Sequence, residues 1–210
     1  MTALHAPIRR GLVFLEFIMA LAITAMVGAA IAAMVSAVSS GELSRRDNRD
    51  YIVRTYTAKS RLSAYVARSL AVLEVNGGDA VVWLNDWRGG RTVHATEIRW
   101  LIFDNPTGSI KVHFVDFPDA WTAVDQALED LEYASGQDWW AVLSTYMNAG
   151  FTSSMTLVDG VNNVQVTTDQ AAALDSSAIM FDIEFTTAPG GEPVEQVITI
   201  RILRHEVPIL

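Results

Sequence analysis

The sequence predicts an α+β protein in which a long N-terminal helix, with a membrane half and an amphipathic half, packs on an antiparallel β-sheet head. Residues 12–38 form an almost unbroken apolar run. In residues 39–75 apolar side chains recur every three or four positions, which is the helical period. From residue 76 onward they recur mainly every second position, which is the period of a half-buried strand.

The membrane helix is predicted over residues 12–38. Only Glu16, Thr24, Gly28 and Ser36 stand outside the apolar-plus-alanine set. As a helix this run would be roughly 40 Å long, which is enough to cross a bilayer. Small residues at every fourth position favour close packing of such helices on one another. They are Ala20, Thr24, Gly28, Ala32, Ser36 and Ser40.

An amphipathic stalk helix is predicted over residues 39–75. The Ser39-Ser40-Gly41 segment is a weak point, because glycine costs about 1 kcal/mol relative to alanine in a helix interior. We expect the helix to stop at Asn76-Gly77-Gly78-Asp79, a cluster that favours turns.

The head is predicted over residues 76–210 as an antiparallel sheet interrupted by a helical insert at 118–148. Two apolar stripes, one with Val124 and Leu128 and one with Trp139 and Leu143, predict that insert. We interpret its aromatic side chains as packing against the sheet edge, with a partner-binding surface as the other possibility. The predicted strands are 80–84, 92–103, 109–117, 155–158, 161–168, 178–187 and 194–203.

The chain has a net charge of −9, and its basic and acidic residues are distributed unevenly along the sequence. Residues 39–68 carry seven basic and three acidic groups, whereas residues 69–210 carry six basic and twenty acidic groups. A basic stalk and an acidic head could attract neighbouring copies, or the stalk could meet lipid phosphates. The acidic head would repel a phosphate backbone, so no nucleic-acid partner is expected.

No catalytic or metal constellation is visible in the sequence. Cysteine is absent, which excludes disulfides and thiolate zinc sites, and the four histidines lack ligand spacing. The oxygen groups of Asp104, Asn105 and Asp159 could ligate calcium, but they lack a spaced ligand set. We therefore predict no enzyme activity, no cofactor and no bound metal.

The N-terminal segment carries a specific motif. Arg9, Arg10 and Gly11 precede the apolar run, and Glu16 interrupts it five residues after Gly11. This arrangement resembles the processing site of type IV pilin-like proteins. The resemblance implies a leader peptide over residues 1–11, cleavage between Gly11 and Leu12 by a prepilin peptidase, and N-methylation of Leu12. It makes Glu16 the assembly residue.

Further downstream, the order of helix, strands, helical insert and strands looks like that of the minor pseudopilins, especially the J component of type II secretion. The segment Leu157-Val158-Asp159-Gly160-Val161 is similar to one in that component. The resemblance implies a pilin-like fold and a structural minor pilin or pseudopilin subunit of a type II secretion or type IV pilus-like filament. It implies a single-pass protein of the bacterial inner membrane with its head in the periplasm. The implied partners are other pilin or pseudopilin subunits, the prepilin peptidase, the inner-membrane assembly platform and the membrane.

Physical chemistry gives Glu16 a role of its own. An ionised carboxylate left in hydrocarbon costs several kcal/mol, so such groups are usually paired. In a bundle of parallel helices its partner would be the freed ammonium of Leu12 on a neighbouring subunit, and the pair would set axial register.

Other interpretations of the N-terminus remain open. Glu16 could lie at the interface of an ordinary membrane anchor, and the apolar run could belong to a removable secretory signal, although it is longer than a typical one. Basic residues flank both ends of the run, so charge alone leaves the orientation ambiguous. A membrane-anchored periplasmic binding or sensor domain with no filament role is the competing function.

Overall fold

The fold is α+β, with a long N-terminal helix and antiparallel sheets. In this computed structural model, the structure describes residues 10–186 and 193–209, and within the first helix it describes the side chains of residues 14–38, 49 and 51–66. The chain divides into two units between Arg49 and Asp50. The helices are α1 (Arg10–Val66), α2 (Ala123–Glu129) and α3 (Trp139–Ala149). The strands are β1 (Ala71–Asn76), β2 (Asp79–Trp83), β3 (Val93–His94), β4 (Ile98–Asp104), β5 (Ser109–Val115), β6 (Glu132–Tyr133), β7 (Thr152–Asp159), β8 (Val161–Thr168), β9 (Ala178–Phe185) and β10 (Val194–Arg201).

The first helix ends earlier than the predicted residue 75. Ser69 closes the helix end, because its backbone N–H and its hydroxyl both donate to the Val66 carbonyl. Residues 71–76 then form β1, which pairs with β2 in an antiparallel hairpin. The cluster at 76–79 is the turn of this hairpin, with Gly77 at φ +59°. The prediction of a helix over 39–75 is therefore wrong at its C-terminal end.

The described strands form two main sheets, where the sequence predicted one. The larger has the order β1-β2-β4-β5-β7 and the smaller the order β10-β9-β8. A two-stranded ribbon of β3 and β6 completes the set. One residue, Gly160 at φ +65°, separates β7 from β8, so the chain passes from one sheet to the other through a turn that favours glycine. The sequence also predicts a turn at Pro189-Gly190-Gly191 between the last two strands, and this turn lies outside the described residues.

Both faces of the five-stranded sheet are covered. In β2, Ala80 and Val82 belong to one buried cluster, and Val81 and Trp83 belong to a second one on the opposite face, as the two-residue period of a strand requires. The first cluster unites both main sheets with the C-terminal part of α1. The α1 residues in it are Ala58, Leu62 and Val66.

The insert covers the second face of the five-stranded sheet. Trp139 is 1% exposed on α3, and its carbonyl accepts a hydrogen bond from the indole Nε1 of Trp100 at 3.0 Å. Asp138 caps α3, since its carboxylate accepts from the backbone N–H groups of Trp140 and Ala141. These contacts support the interpretation of the aromatic residues as packing against the sheet.

The predicted helical insert at 118–148 differs from the structure in two ways. It contains two helices separated by β6, and the stripe on α2 faces outward rather than into the core. Val124 is 69% exposed and Leu128 is 72% exposed. Apolar residues recur on α2 with the helical period, as predicted, but they do not form a buried face.

Leu62 tests the contact of α1 with the sheets. Its side chain is completely buried, so Leu62→Ala should lower the free energy of unfolding by about 2–5 kcal/mol. The matched control, Tyr56→Ala, removes a side chain that is 71% exposed on the same helix and should change it by less than about 0.5 kcal/mol. Urea unfolding of the full chain in detergent can be followed by tryptophan fluorescence, because all six tryptophans lie between residues 83 and 140. Equal midpoints for the two variants would contradict the packing described here.

Candidate membrane and assembly segment

One segment of α1, Phe14–Val38, is long and apolar enough to cross a membrane. Its 25 residues would span roughly 37 Å at 1.5 Å per residue, compared with about 30 Å for the hydrocarbon core of a bilayer. A removable signal near the N-terminus would meet the same criteria of length and composition. The segment is thus a candidate for single-pass anchoring.

Every side chain of this segment is exposed. Phe14 is 67% exposed, Phe17 64% and Met26 73%. Large apolar side chains are unfavourable in water by roughly 1.5–3 kcal/mol each relative to full burial. A contiguous surface of this size marks a region that lipid or other protein helices cover.

Glu16 lies near the start of this exposed apolar surface. Its side chain is exposed, and within the part of the chain that the structure describes no group donates a hydrogen bond to it and no cation pairs with it. Thr24 differs, because its hydroxyl donates to the Ala20 carbonyl at 2.8 Å within the same helix. The polar requirement of Thr24 is met locally, whereas no side chain among the described residues meets that of Glu16.

The small residues of the segment form an exposed stripe along the helix. A Cβ added to Gly28 would meet no atom within 4 Å. Ala20, Thr24 and Ala32 lie one turn apart on either side of it and are exposed. Such a surface allows another helix backbone to approach closely.

The predicted processing residues are only partly described. Arg10, Gly11 and Leu12 belong to the first turn of α1, but the side chains of Arg10 and Leu12 lie outside the described part of the chain, as does all of Arg9. The cleavage and methylation of this segment stay predictions from the motif.

Asp104, whose carboxylate could have ligated calcium, is engaged by neighbouring side chains. The carboxylate of Asp104 accepts from the Lys111 ammonium and from the Thr107 hydroxyl, and these bonds, that of Lys111 first, hold the pKa of Asp104 below its usual value. No group of three or more His, Asp or Glu side chains suited to a metal ion occurs among the described residues. His113 is half-buried, and burial lowers its pKa.

Two carboxylates of the head, those of Glu97 and Asp130, are buried although no sequence pattern indicates it. Glu97 is fully buried and accepts from the indole N–H of Trp83 at 3.1 Å and from the backbone N–H groups of Arg88 and His94 at 3.0 and 3.1 Å. These three donors compensate the burial of the charge.

Asp130 ties the insert to the loop after β2. Its Oδ2 accepts from Nε and Nη2 of Arg88 at 3.1 and 3.0 Å and from the Thr96 hydroxyl at 2.7 Å, and its Oδ1 accepts from the Thr96 backbone N–H at 2.9 Å. Arg88 and Asp130 are 42 positions apart, so no local spacing could have revealed the pair. Asp130 therefore holds the insert to the loop after β2, whereas Glu97 holds that loop to β2 and β3.

The sequence of this chain matches no protein-family model and no curated protein.

Asp130→Asn tests the attachment of the insert. The substitution removes the charge that accepts from Arg88 and should lower the free energy of unfolding by about 2 kcal/mol, less than for a fully buried pair because the Arg88 side chain is 38% exposed. Asp119→Asn, at an exposed position of the same insert, is the matched control and should be neutral. Urea unfolding and limited proteolysis within residues 85–135 measure the effect. Unchanged stability and unchanged cleavage would show that this network does not hold the insert.

Proposed function

We propose that this protein is a structural subunit of a pilus-like filament, of the type IV pilin or type II secretion pseudopilin class, that assembles through its N-terminal helix. The observation that carries the proposal is Glu16, an exposed carboxylate near the start of an exposed apolar helix. The resemblance of Arg9, Arg10, Gly11 and Glu16 to a prepilin processing site supports the same function.

The proposed mechanism begins with the helix stored in the inner membrane and the head in the periplasm. A prepilin peptidase cuts between Gly11 and Leu12 and methylates Leu12, and the inner-membrane platform then moves the helix into a bundle of subunits. There the new amino terminus of a neighbouring copy neutralises the Glu16 carboxylate, which in a dry bundle would otherwise be costly. The pair selects one axial register, because a shifted helix would leave both charges unpaired.

The helical insert of the head fits a specialised, minor subunit. The head carries a helical insert whose α3 packs on the face of the five-stranded sheet opposite α1. Its α2 exposes Val124 and Leu128 and so adds apolar surface to the head. Such a surface suits contacts that the bulk of a filament does not need. The minor role belongs to the proposal and rests on this surface and on the resemblance to the J component.

A Glu16→Ala variant tests the filament role. Without the carboxylate the arriving helix has no charge to pair, so we expect the protein to remain in the membrane and to disappear from sheared filaments, as measured by immunoblot of the two fractions. Thr24→Ala is the matched control, because the Thr24 hydroxyl is satisfied inside its own helix, and it should assemble normally. Normal assembly of Glu16→Ala would contradict the proposal and favour an anchored binding or sensor domain.

The mature N-terminus provides a second test. Intact-mass and N-terminal measurements on protein purified from the membrane should find a chain that begins at Leu12 and carries one added methyl group. Gly11→Val should block cleavage and leave the leader in place, since the resemblance assigns the cut to the bond after Gly11. A mature chain that begins at Met1 or near residue 40 would exclude the prepilin pathway.

A further inference from the structure

The head contains a groove of about 760 Å³ beside the C-terminal part of α1. This volume lies in the range of sites that hold a small ligand or a few residues of a peptide. The groove is formed by the last turns of α1, the end of β2 with the loop that follows, the edge strand β7 and the segment after β10. The lining residues that matter here are Arg61, Tyr65, Arg68, Trp87, Met155 and Arg204.

The groove is basic although the head is acidic. It is lined by three arginines and no carboxylate. One N–H of Arg61 donates to the Leu157 carbonyl at 3.0 Å, and Nε of Arg204 pairs with Glu206 at 2.6 Å. Within the described part of the chain Arg68 forms no ion pair. Because each guanidinium has five N–H donors, most of the donors in the groove remain free for an acidic partner.

The same groove exposes apolar surface. Trp87 is 73% exposed and Met155 is 48% exposed. An inorganic anion would satisfy the arginines but would leave these side chains in water. The combination favours a partner that carries carboxylates and aliphatic side chains together.

A segment with those properties lies in the insert of the same chain. Val124, Leu128 and Leu131 are 69%, 72% and 52% exposed at spacings of four and three residues. Residues 116–138 contain seven acidic groups and no Lys or Arg. The exposed carboxylates of Asp125 and Glu129 therefore lie close to exposed aliphatic side chains on α2.

Local contacts hold α2 in its helical form. The Thr122 hydroxyl accepts from the Asp125 backbone N–H at 3.2 Å, and the Asp125 carboxylate accepts from the Thr122 hydroxyl and backbone N–H at 2.7 and 3.0 Å. The bonds from Thr122 also lower the pKa of Asp125. A preformed helix has little conformational entropy to lose on binding.

We propose that the basic groove of one copy binds the acidic, apolar face of α2 from a second copy. In its own molecule α2 leaves Val124 and Leu128 exposed, so it does not fill the groove of its own chain. The inference rests on the proposed function, because assembly through the N-terminal helices would place two copies of this minor subunit side by side. It requires at least two copies in one assembly, and its strength should fall as salt screens the charges.

The absence of cysteine from the chain permits a direct test by disulfide cross-linking. Two differently tagged full-length versions, one with Asn85→Cys at the groove and the other with Ala127→Cys on α2, are co-expressed, and the protein is oxidised in detergent and in membranes. We expect the mixed dimer to exceed both like-with-like dimers, and to decrease as salt is raised. The matched control replaces Ala127→Cys by Val197→Cys, an equally accessible site on β10 that is 56% exposed, and should give little mixed dimer.

Charge reversal identifies the contact. Arg68→Glu in the groove copy should reduce the mixed dimer by about five-fold, and Glu129→Arg in the α2 copy should restore it. A mixed dimer no more abundant than the Val197→Cys control, or one insensitive to both reversals, would overturn the proposal. Protection of Asn85→Cys from a thiol reagent by inorganic phosphate or anionic lipid vesicles, without a mixed dimer, would overturn it as well.

The two proposals fail in different ways. Loss of the mixed dimer while filaments still depend on Glu16 would remove this contact and leave the filament function intact. A mixed dimer in detergent from a protein whose assembly ignores Glu16 would keep the contact and remove the filament function.

Discussion

The structure of the head depends on covering a five-stranded sheet on both of its faces. Strands such as β2 place apolar side chains on both sides of the sheet, so a face left in water would expose apolar surface. The C-terminal part of α1 and the smaller sheet bury one face, and α3 with the β3–β6 ribbon buries the other. The insert is thus a necessary layer of the fold, and the Arg88–Asp130 pair is one of the bonds that keep it there.

The N-terminal segment poses the opposite problem, because residues 14–38 expose their apolar side chains. Lipid can cover that surface, and so can other helices. Under the proposed function, a helix bundle differs from lipid because it also has to supply a partner for the Glu16 carboxylate, and this requirement favours one neighbour and one register.

The sequence predicts correctly those elements whose pattern of apolar residues and turn residues is local. The hairpin of β4 and β5 follows from the alternation of Ile110 and Val112 and from the turn that ends at Gly108, which has φ +58°. The prediction failed for β1, because Ala71, Val72 and Leu73 continue the apolar pattern of the helix and become a strand through pairing with β2. It also failed for α2, since a periodic stripe does not reveal whether another element covers it. The apolar neighbours of Glu16 mark it as unusual in the sequence itself. The basic groove of the head has no such sequence signal, because Arg61, Trp87 and Arg204 come together only through the fold.

Within the head, α1 is attached at three levels. The Tyr51 hydroxyl donates to the Gln196 side chain, Arg54 to the Thr186 carbonyl and Arg61 to the Leu157 carbonyl, and these partners belong to or adjoin both main sheets. A pulling force that reaches this part of α1 would be shared as shear across many side chains and both sheets instead of peeling one strand at a time. A load applied to this part of α1 would therefore be resisted by these contacts together.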